Sequence, residues 1–306
     1  MTPVETMDPI EWAVRGLKAV GIDSPRLEAQ LLLALALGTT RTAVVAGLYR
    51  PLEDVDCKRF EDLVEARCAR TPLAYLRGSQ EFYGLDFEVS PAVLIPRPET
   101  EMLVDFALEW YLDSSDHSDR SGQSVPHNLA DVGTGSGCVA IAALTRCPRW
   151  RCAAFDLSRA ALQVARRNAV RHAAADRLRF VQSDLLTGAH AGRFGLILSN
   201  PPYVATDELE RLQPEVRNCE PRIALDGGAD GLNAYRRLTP MAQRSLVPGG
   251  CVAVEVGMGQ ASEVANIFAC AGFRKIEIRK DLAGIERLVS GRKNDSHAQR
   301  QRASNS

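Results

Sequence analysis

An apolar run, Leu196-Ile197-Leu198-Ser199, stops abruptly at Asn200-Pro201-Pro202-Tyr203, and this junction constrains the fold more than any other stretch of the chain. Proline has a fixed φ and no amide hydrogen, so a buried strand has to end where Pro201 begins. Asn200 is thereby set at a strand's carboxyl tip. The Asn side-chain oxygen and the Pro201 carbonyl can both accept hydrogen bonds from one planar NH2 group. Pro202 follows, and Tyr203 adds a flat apolar face and a hydroxyl suited to packing against an amide or a base. Alone, these four residues fit either a clamp for an NH2 group or a tight turn in which Asn is tolerated for its backbone.

A second junction resolves part of that choice. Leu129-Ala130-Asp131-Val132 leads into Gly133-Thr134-Gly135-Ser136-Gly137 and then an apolar helix over 139–144, a succession of strand, glycine loop and helix. The spacing is Gly-x-Gly-x-Gly, where a dinucleotide fingerprint wants Gly-x-Gly-x-x-Gly, so the loop fits a nucleoside without a pyrophosphate. The next strand, over 151–155, ends at Asp156. A carboxylate there can accept both ribose hydroxyls or cap the following helix, although Ser158 offers a cap of its own. Asp184-Leu185 stands at the tip of a strand over 178–182. Asp184 there is an acceptor for an adenine amino group with Leu185 as a wall, or else a turn cap. In a doubly wound sheet the first strand and the fourth, here 194–199, become neighbours, and ligands bind where the winding reverses. The glycine loop and the Asn200 junction are therefore expected to face each other.

The rest of the chain divides around this sheet. Asp8, Pro9 and Glu11 mark a helix start, and helical periodicity continues over 25–37, 42–48 and 55–70, so residues 1–75 read as a small all-α bundle. The bundle carries nine Lys or Arg against eleven Asp or Glu, and the whole chain a formal charge of −1, which offers no counter-ion surface for nucleic acid. A protein partner is expected there instead. Residues 76–93 read as a linker containing a β-hairpin around Gly84. Leu94 to Glu101 places charges between prolines just before a helix, either a lip over the site or a rigid linker. Residues 113–128 read as a solvated loop in which His117 and His127 are surface residues, 208–231 as a long loop beside the site, and 292–306 as a disordered tail. Pro248-Gly249-Gly250 reads as a turn ahead of a strand over 251–256. The eight cysteines form no Cys-x-x-Cys pair and have no neighbouring His, so reduced thiols in a cytoplasmic protein are expected, with no metal. Neither a signal peptide nor a membrane-length apolar run is read.

Asp131 to Gly137, Asp156 and Asn200 to Tyr203 together resemble a class I methyltransferase that uses S-adenosylmethionine. Leu94 to Glu101, Gln213 to Arg217, Glu220 to Arg222 and Asp281 to Gly284 extend the likeness to the HemK/PrmC family, the glutamine methyltransferases of peptide chain release factors, over residues 5–292. The resemblance implies an α/β, Rossmann-like, seven-stranded sheet in a methyltransferase domain over 94–291 and methylation of the glutamine in a Gly-Gly-Gln loop. It implies S-adenosyl-L-methionine bound by Gly133, Thr134, Gly135, Ser136, Gly137, Asp156, Asp184, Leu185 and Asn200. Asn200 and Pro201 are the implied catalytic residues, with Pro202 and Tyr203 completing the substrate clamp. Leu185 stands where some members carry a tryptophan against the adenine. A monomer is expected, with release factors as partners and no direct contact with nucleic acid or membrane. A methyltransferase of adenine or guanine amino groups would use the same clamp but should carry a basic groove, and a non-enzymatic module would not need the clamp intact.

Overall fold

The computed structural model describes residues 8–115 and 128–294. They form two compact units. The first runs to Gly78 and takes in the later segment Gln213–Cys219; the second starts at Ser79 and holds the remainder.

The first unit is helical, with α1 (Pro9–Ala19), α2 (Pro25–Leu37), α3 (Arg41–Val45), α4 (Asp54–Cys68), α5 (Leu73–Arg77) and, from far along the chain, α9 (Pro214–Cys219). Asp8 caps α1 by accepting from Glu11 N at 3.0 Å, and Gly38, in the left-handed region, ends α2. Leu17, Leu32, Leu33 and Phe60 are fully buried between the helices. Arg67 is buried as well, and its charge is met twice: Glu28 Oε2 accepts from Nε at 2.6 Å and Glu215 Oε1 from Nη1 at 2.9 Å. Arg70 reaches the same Glu215 oxygen at 2.8 Å. Burial works against the Glu215 charge, but hydrogen bonds from the two arginines outweigh it and hold the carboxyl below its ordinary pKa. Helices α3 and α4 end earlier than the periodicity suggests, where Gly47 and Arg70 take left-handed backbone.

The second unit opens with a hairpin of β1 (Ser79–Phe82) and β2 (Leu85–Glu88), then α6 (Glu101–Ser115). Its sheet contains β3 (Asn128–Val132), β4 (Arg151–Asp156), β5 (Leu178–Gln182), β6 (Phe194–Ser199), β7 (Leu246–Glu255), β8 (Arg274–Lys280) and β9 (Glu286–Arg292). The order is β5-β4-β3-β6-β7-β9-β8, seven strands, with β9 antiparallel to both neighbours and the other pairings parallel. All six residues of β6 are buried, as a central parallel strand requires. Alternate strand residues feed two cores. Leu129, Cys152, Leu196 and Leu198 pack with α6 and α7 (Cys138–Arg146); Val132, Phe155, Ile197 and Val252 pack with α10 (Asn233–Ser245) and α11 (Ala261–Cys270). The expected α/β sheet is present, and β3 pairs with β6 so that Val132 lies opposite Ser199. Each loop after these two strands therefore opens on the same crevice.

Some elements depart from expectation. The hairpin read as a linker belongs to the second unit, where Phe82 and Phe87 are fully buried in the α6–α7 core. Helix α6 continues to Ser115, into the stretch read as loop; His117, His127 and the tail beyond residue 294 lie outside the described residues. Pro248-Gly249-Gly250 is a bulge within β7: Phe194 pairs with Leu246 and Leu196 with Cys251, so four residues of β7 loop past one of β6. The long loop read over 208–231 is broken by α9 and by single turns at Leu209–Arg211 and Arg222–Ala224. None of the eight cysteines is in a disulfide, and burial pushes the thiols of Cys138, Cys147 and Cys251 up to about 12. No helix among the described residues is long and apolar enough to cross a membrane.

Candidate active site

The glycine loop after β3 is shaped from below. Asp131 Oδ2 accepts from Thr134 Oγ1 at 2.6 Å and from Ala140 N at 3.3 Å, and burial pushes this carboxyl up to about 6 against those two donors. Gly133, Gly135 and Gly137 have φ of 74°, 55° and 82°, a region that penalises a Cβ. Their uses differ. A Cβ on Gly137 would stand 3.0 Å from Ile141 Cδ1 and 3.2 Å from Ala165 Cβ, so this glycine lets α8 (Arg159–Arg171) pack against α7. A Cβ on Gly135 would meet nothing within 4 Å, and this residue lines a cavity of about 260 Å³. Asn168, fully buried, donates to the Ser136 carbonyl at 2.9 Å and exchanges hydrogen bonds with the Glu88 backbone at 2.7 and 3.0 Å, tying the hairpin to the loop.

Asp156 closes one side of the cavity. Its Oδ2 accepts from Gly135 N at 2.9 Å and its Oδ1 from Ser158 N at 2.8 Å, while burial raises its pKa in spite of them. Ser158 caps α8, accepting from Ala161 N at 3.1 Å. Asp156 is thus not needed to cap α8, and with backbone donors from Gly135, Ser158 and Leu157 on it the carboxylate still keeps acceptor capacity. Asp184 and Leu185 line the same cavity. Asp184, read as an acceptor for an amino group, is also ion-paired with Arg237 Nη2 at 2.5 Å, both groups about half exposed. Leu185 sits at φ 52°, unusual backbone for a branched residue and one that turns its side chain at this wall.

Opposite them, Ser199 Oγ ties β6 to β3 through the Val132 carbonyl at 2.7 Å, and Asn200 follows. Asn200 and Pro202 line the cavity; Pro201 is buried. Tyr203 turns back: its hydroxyl lies 3.5 Å from Glu255 Oε1, at the end of β7. Asn200 Nδ2 donates to Thr100 Oγ1 at 3.1 Å, and Thr100 Oγ1 donates to Glu255 Oε2 at 2.6 Å. The loop is gripped from behind by backbone bonds between Val204 and both Leu225 (3.0 Å) and Gly227 (2.8 Å), and by Gln260 Nε2 on the Tyr203 carbonyl at 2.9 Å. Glu220, 6% exposed, accepts from Ile95 N at 3.1 Å and from Arg97 at 2.5 Å, and so fastens the 94–101 lip, whose Leu94, Pro96, Arg97 and Thr100 line the cavity.

The cavity therefore gathers Gly133, Thr134, Gly135, Ser136, Asp156, Asp184, Leu185, Asn200 and Pro202, while Gly137, Pro201 and Tyr203 support it from outside its lining. Glu255, Asn168 and Arg237 were not singled out by sequence reasoning, and Thr100 only as a member of the 94–101 stretch; of the other three, Glu255 left a signal, a carboxylate at the tip of an otherwise apolar strand.

A profile of the PrmC N-terminal domain matches residues 8–78, and one of the methyltransferase small domain matches residues 119–215. Over 285 residues the chain is 41% identical to the release factor glutamine methyltransferase of Geobacter sulfurreducens, covering 92% of this chain and 95% of that one. It is 42% identical to the protein of the same description from Moorella thermoacetica, covering 90% and 94%. Among solved structures, the hMettl16 catalytic domain in complex with a MAT2A 3'UTR hairpin matches with a TM-score of 0.54 at 14% identity, covering 77% of this chain and 83% of that one, a likeness of fold alone. Identity near 40% across both units joins the helical bundle, the sheet and the Asn200 junction in one lineage, and the chain belongs to the release factor glutamine methyltransferase family.

Proposed function

We propose that this chain transfers a methyl group from S-adenosylmethionine to the side-chain amide nitrogen of the glutamine in the Gly-Gly-Gln motif of peptide chain release factors. The observation that carries the reading is the meeting of Asn200 with Gly135 and Asp156 around one cavity. The residues fit the cofactor. The open space over Gly135 admits a ligand close to backbone, and Asp156 offers acceptors for a ribose at the tip of β4. Asp184 and Leu185 supply an acceptor and an apolar wall for the base. When bound, the sulfonium supplies an electrophilic methyl group, so the protein's task is alignment.

An amide nitrogen is a poor nucleophile because its lone pair is delocalised into the carbonyl. Asn200 Oδ1 and the Pro201 carbonyl, accepting both N–H bonds of the substrate amide, would fix the plane of the NH2 group and stabilise positive charge developing on nitrogen. A lone glutamine side chain buries too little surface to select one loop among all cellular glutamines. Specific protein contacts usually bury about 1,200–2,000 Å² in total. The first unit supplies a second surface, and we assign it to docking of the release factor.

Incubating the chain with a release factor and S-adenosylmethionine, then mapping the product by mass spectrometry, tests the reading. One added methyl on the Gly-Gly-Gln glutamine is expected. An unmodified release factor, or methyl found instead on co-purifying RNA or DNA, overturns it.

A further inference from the structure

We propose that Thr100 and Glu255 are positioning residues that fix which end of the Asn200 side-chain amide faces the cavity. This rests on the reading of Asn200 as an acceptor for the substrate NH2. Packing by itself cannot set that choice, because the oxygen and nitrogen ends of an Asn amide are nearly identical in shape. Hydrogen-bond polarity can. A threonine hydroxyl has one proton, and Thr100 gives it to Glu255 Oε2 at 2.6 Å, since an ionised carboxylate only accepts. Thr100 Oγ1 is left to accept, and the group it accepts from at 3.1 Å is Asn200 Nδ2. The Asn200 oxygen is thereby turned away from Thr100 and kept for the incoming amide. A flipped Asn200 would set NH2 against NH2, donor against donor. Thr100 and Glu255 are each 3% exposed, so bulk water has little access to stand in for either partner.

The chain of polarity runs backwards when Glu255 is protonated. A carboxylic acid can donate to Thr100, whose own proton is then released toward Asn200 Oδ1, and that bond holds the flipped amide. Burial first, then the charge of Glu99, pushes the Glu255 carboxyl up to about 7, against the Thr100 bond, the Arg287 charge and the Tyr203 bond. The groups facing it come from five directions: Glu99 and Thr100 ahead of α6, Cys138 on α7, Tyr203 after β6, Tyr235 on α10, and Arg287 on β9. Tyr235 donates to the Glu255 backbone carbonyl at 2.9 Å rather than to its carboxylate. The switch is therefore carried by one hydroxyl, and turnover should fall as pH drops through about 7.

The test uses the full chain with an intact release factor and S-adenosylmethionine. Wild-type methylation is measured first; its absence would sink the functional reading, whereas the variants bear on Thr100 and Glu255 alone. Thr100→Val should lower kcat about 10- to 100-fold, the usual cost of losing an outer-shell orienting partner, with KM for the cofactor unchanged. Thr100→Ser should keep wild-type turnover. The fall in kcat on acidification should be present in the wild type and Thr100→Ser, and absent from Thr100→Val and Glu255→Gln. A readout without turnover is the NMR signal of the Asn200 side-chain NH2 in the ligand-free protein. It should move with pH near neutrality in the wild type and stand still in Thr100→Val. The proposal is overturned by wild-type kcat in Thr100→Val, by an acid limb that survives unchanged in Glu255→Gln, or by an Asn200 signal indifferent to pH in the wild type.

Discussion

Asn200 and Asp156 illustrate what a strand end does for a side chain: each hangs from the last peptide of a buried strand, so its position is inherited from the sheet. Asn200→Ala should fold and lose about 10²–10³ in turnover at saturating substrate, the cost of one oriented transition-state contact. Wild-type turnover would remove Asn200 from the clamp. Asp156→Ala should weaken cofactor binding by about 10- to 150-fold, from charge-assisted bonds of roughly 1.5–3 kcal/mol; unchanged affinity in calorimetry would leave Asp156 to its bonds with Gly135 and Ser158. Glu255 gives a stability prediction of opposite sense. Its folded pKa, about 7, lies above the ordinary 4.5, so its contribution to stability is complete below pH 4.5 and is lost as pH rises through 7. Glu255→Gln should therefore melt higher than wild type at pH 8, by about 3 kcal/mol at most, with little difference at pH 4. Strand tips were legible because proline and glycine mark them in the sequence. Thr100 and Glu255 were not, because their meeting depends on a separation of 155 positions that only the sheet closes.

Elements long enough to show a period were read near their true bounds: β5 and β6 match residue for residue the strands expected over 178–182 and 194–199. Short elements escaped. Helix α5 has five residues and α9 six, less than two turns, and such pieces are stabilised by what they pack on rather than by their own pattern. The hairpin was found, but its allegiance was not, since burial of Phe82 and Phe87 depends on surfaces remote in sequence. Glycines 227 and 231 carry a similar lesson. Read as loop, they let Asp226 to Gly231 press against the backbone of the Asn200 junction: a Cβ on Gly231, at φ 73°, would stand 2.3 Å from the Tyr203 carbonyl oxygen. Gly231→Ala should cost about 1–3 kcal/mol through backbone strain and displacement of that loop. Turnover should fall further than cofactor affinity, and a thermal melt alongside calorimetry measures both. An unchanged melt with full activity would mean that this packing does not hold the clamp.

At the scale of the whole molecule, docking is best tested on the surface of the first unit. Leu48 and Val55 there are 76% and 68% exposed. Leu48→Asp with Val55→Asp should raise KM for the intact release factor several-fold, leave cofactor affinity alone, and not affect a short Gly-Gly-Gln peptide; an unchanged KM would move docking elsewhere. Deleting residues 1–78 is a poorer test, because Glu215 would lose Arg67 and Arg70 together. That same contact bears on how the protein is made. The helical unit is discontinuous: Arg67 and Arg70 leave the ribosome well before Glu215, with Ser79–Leu212 translated in between. At about 5–20 residues per second the wait is on the order of ten seconds, long compared with helix formation. During it Arg67 has Glu28 but not Glu215, and Arg70 lacks that carboxylate as well. The nascent bundle is thus held short of its final stability until the first strands of the catalytic sheet have been synthesised, so maturation of the two units is coupled in time.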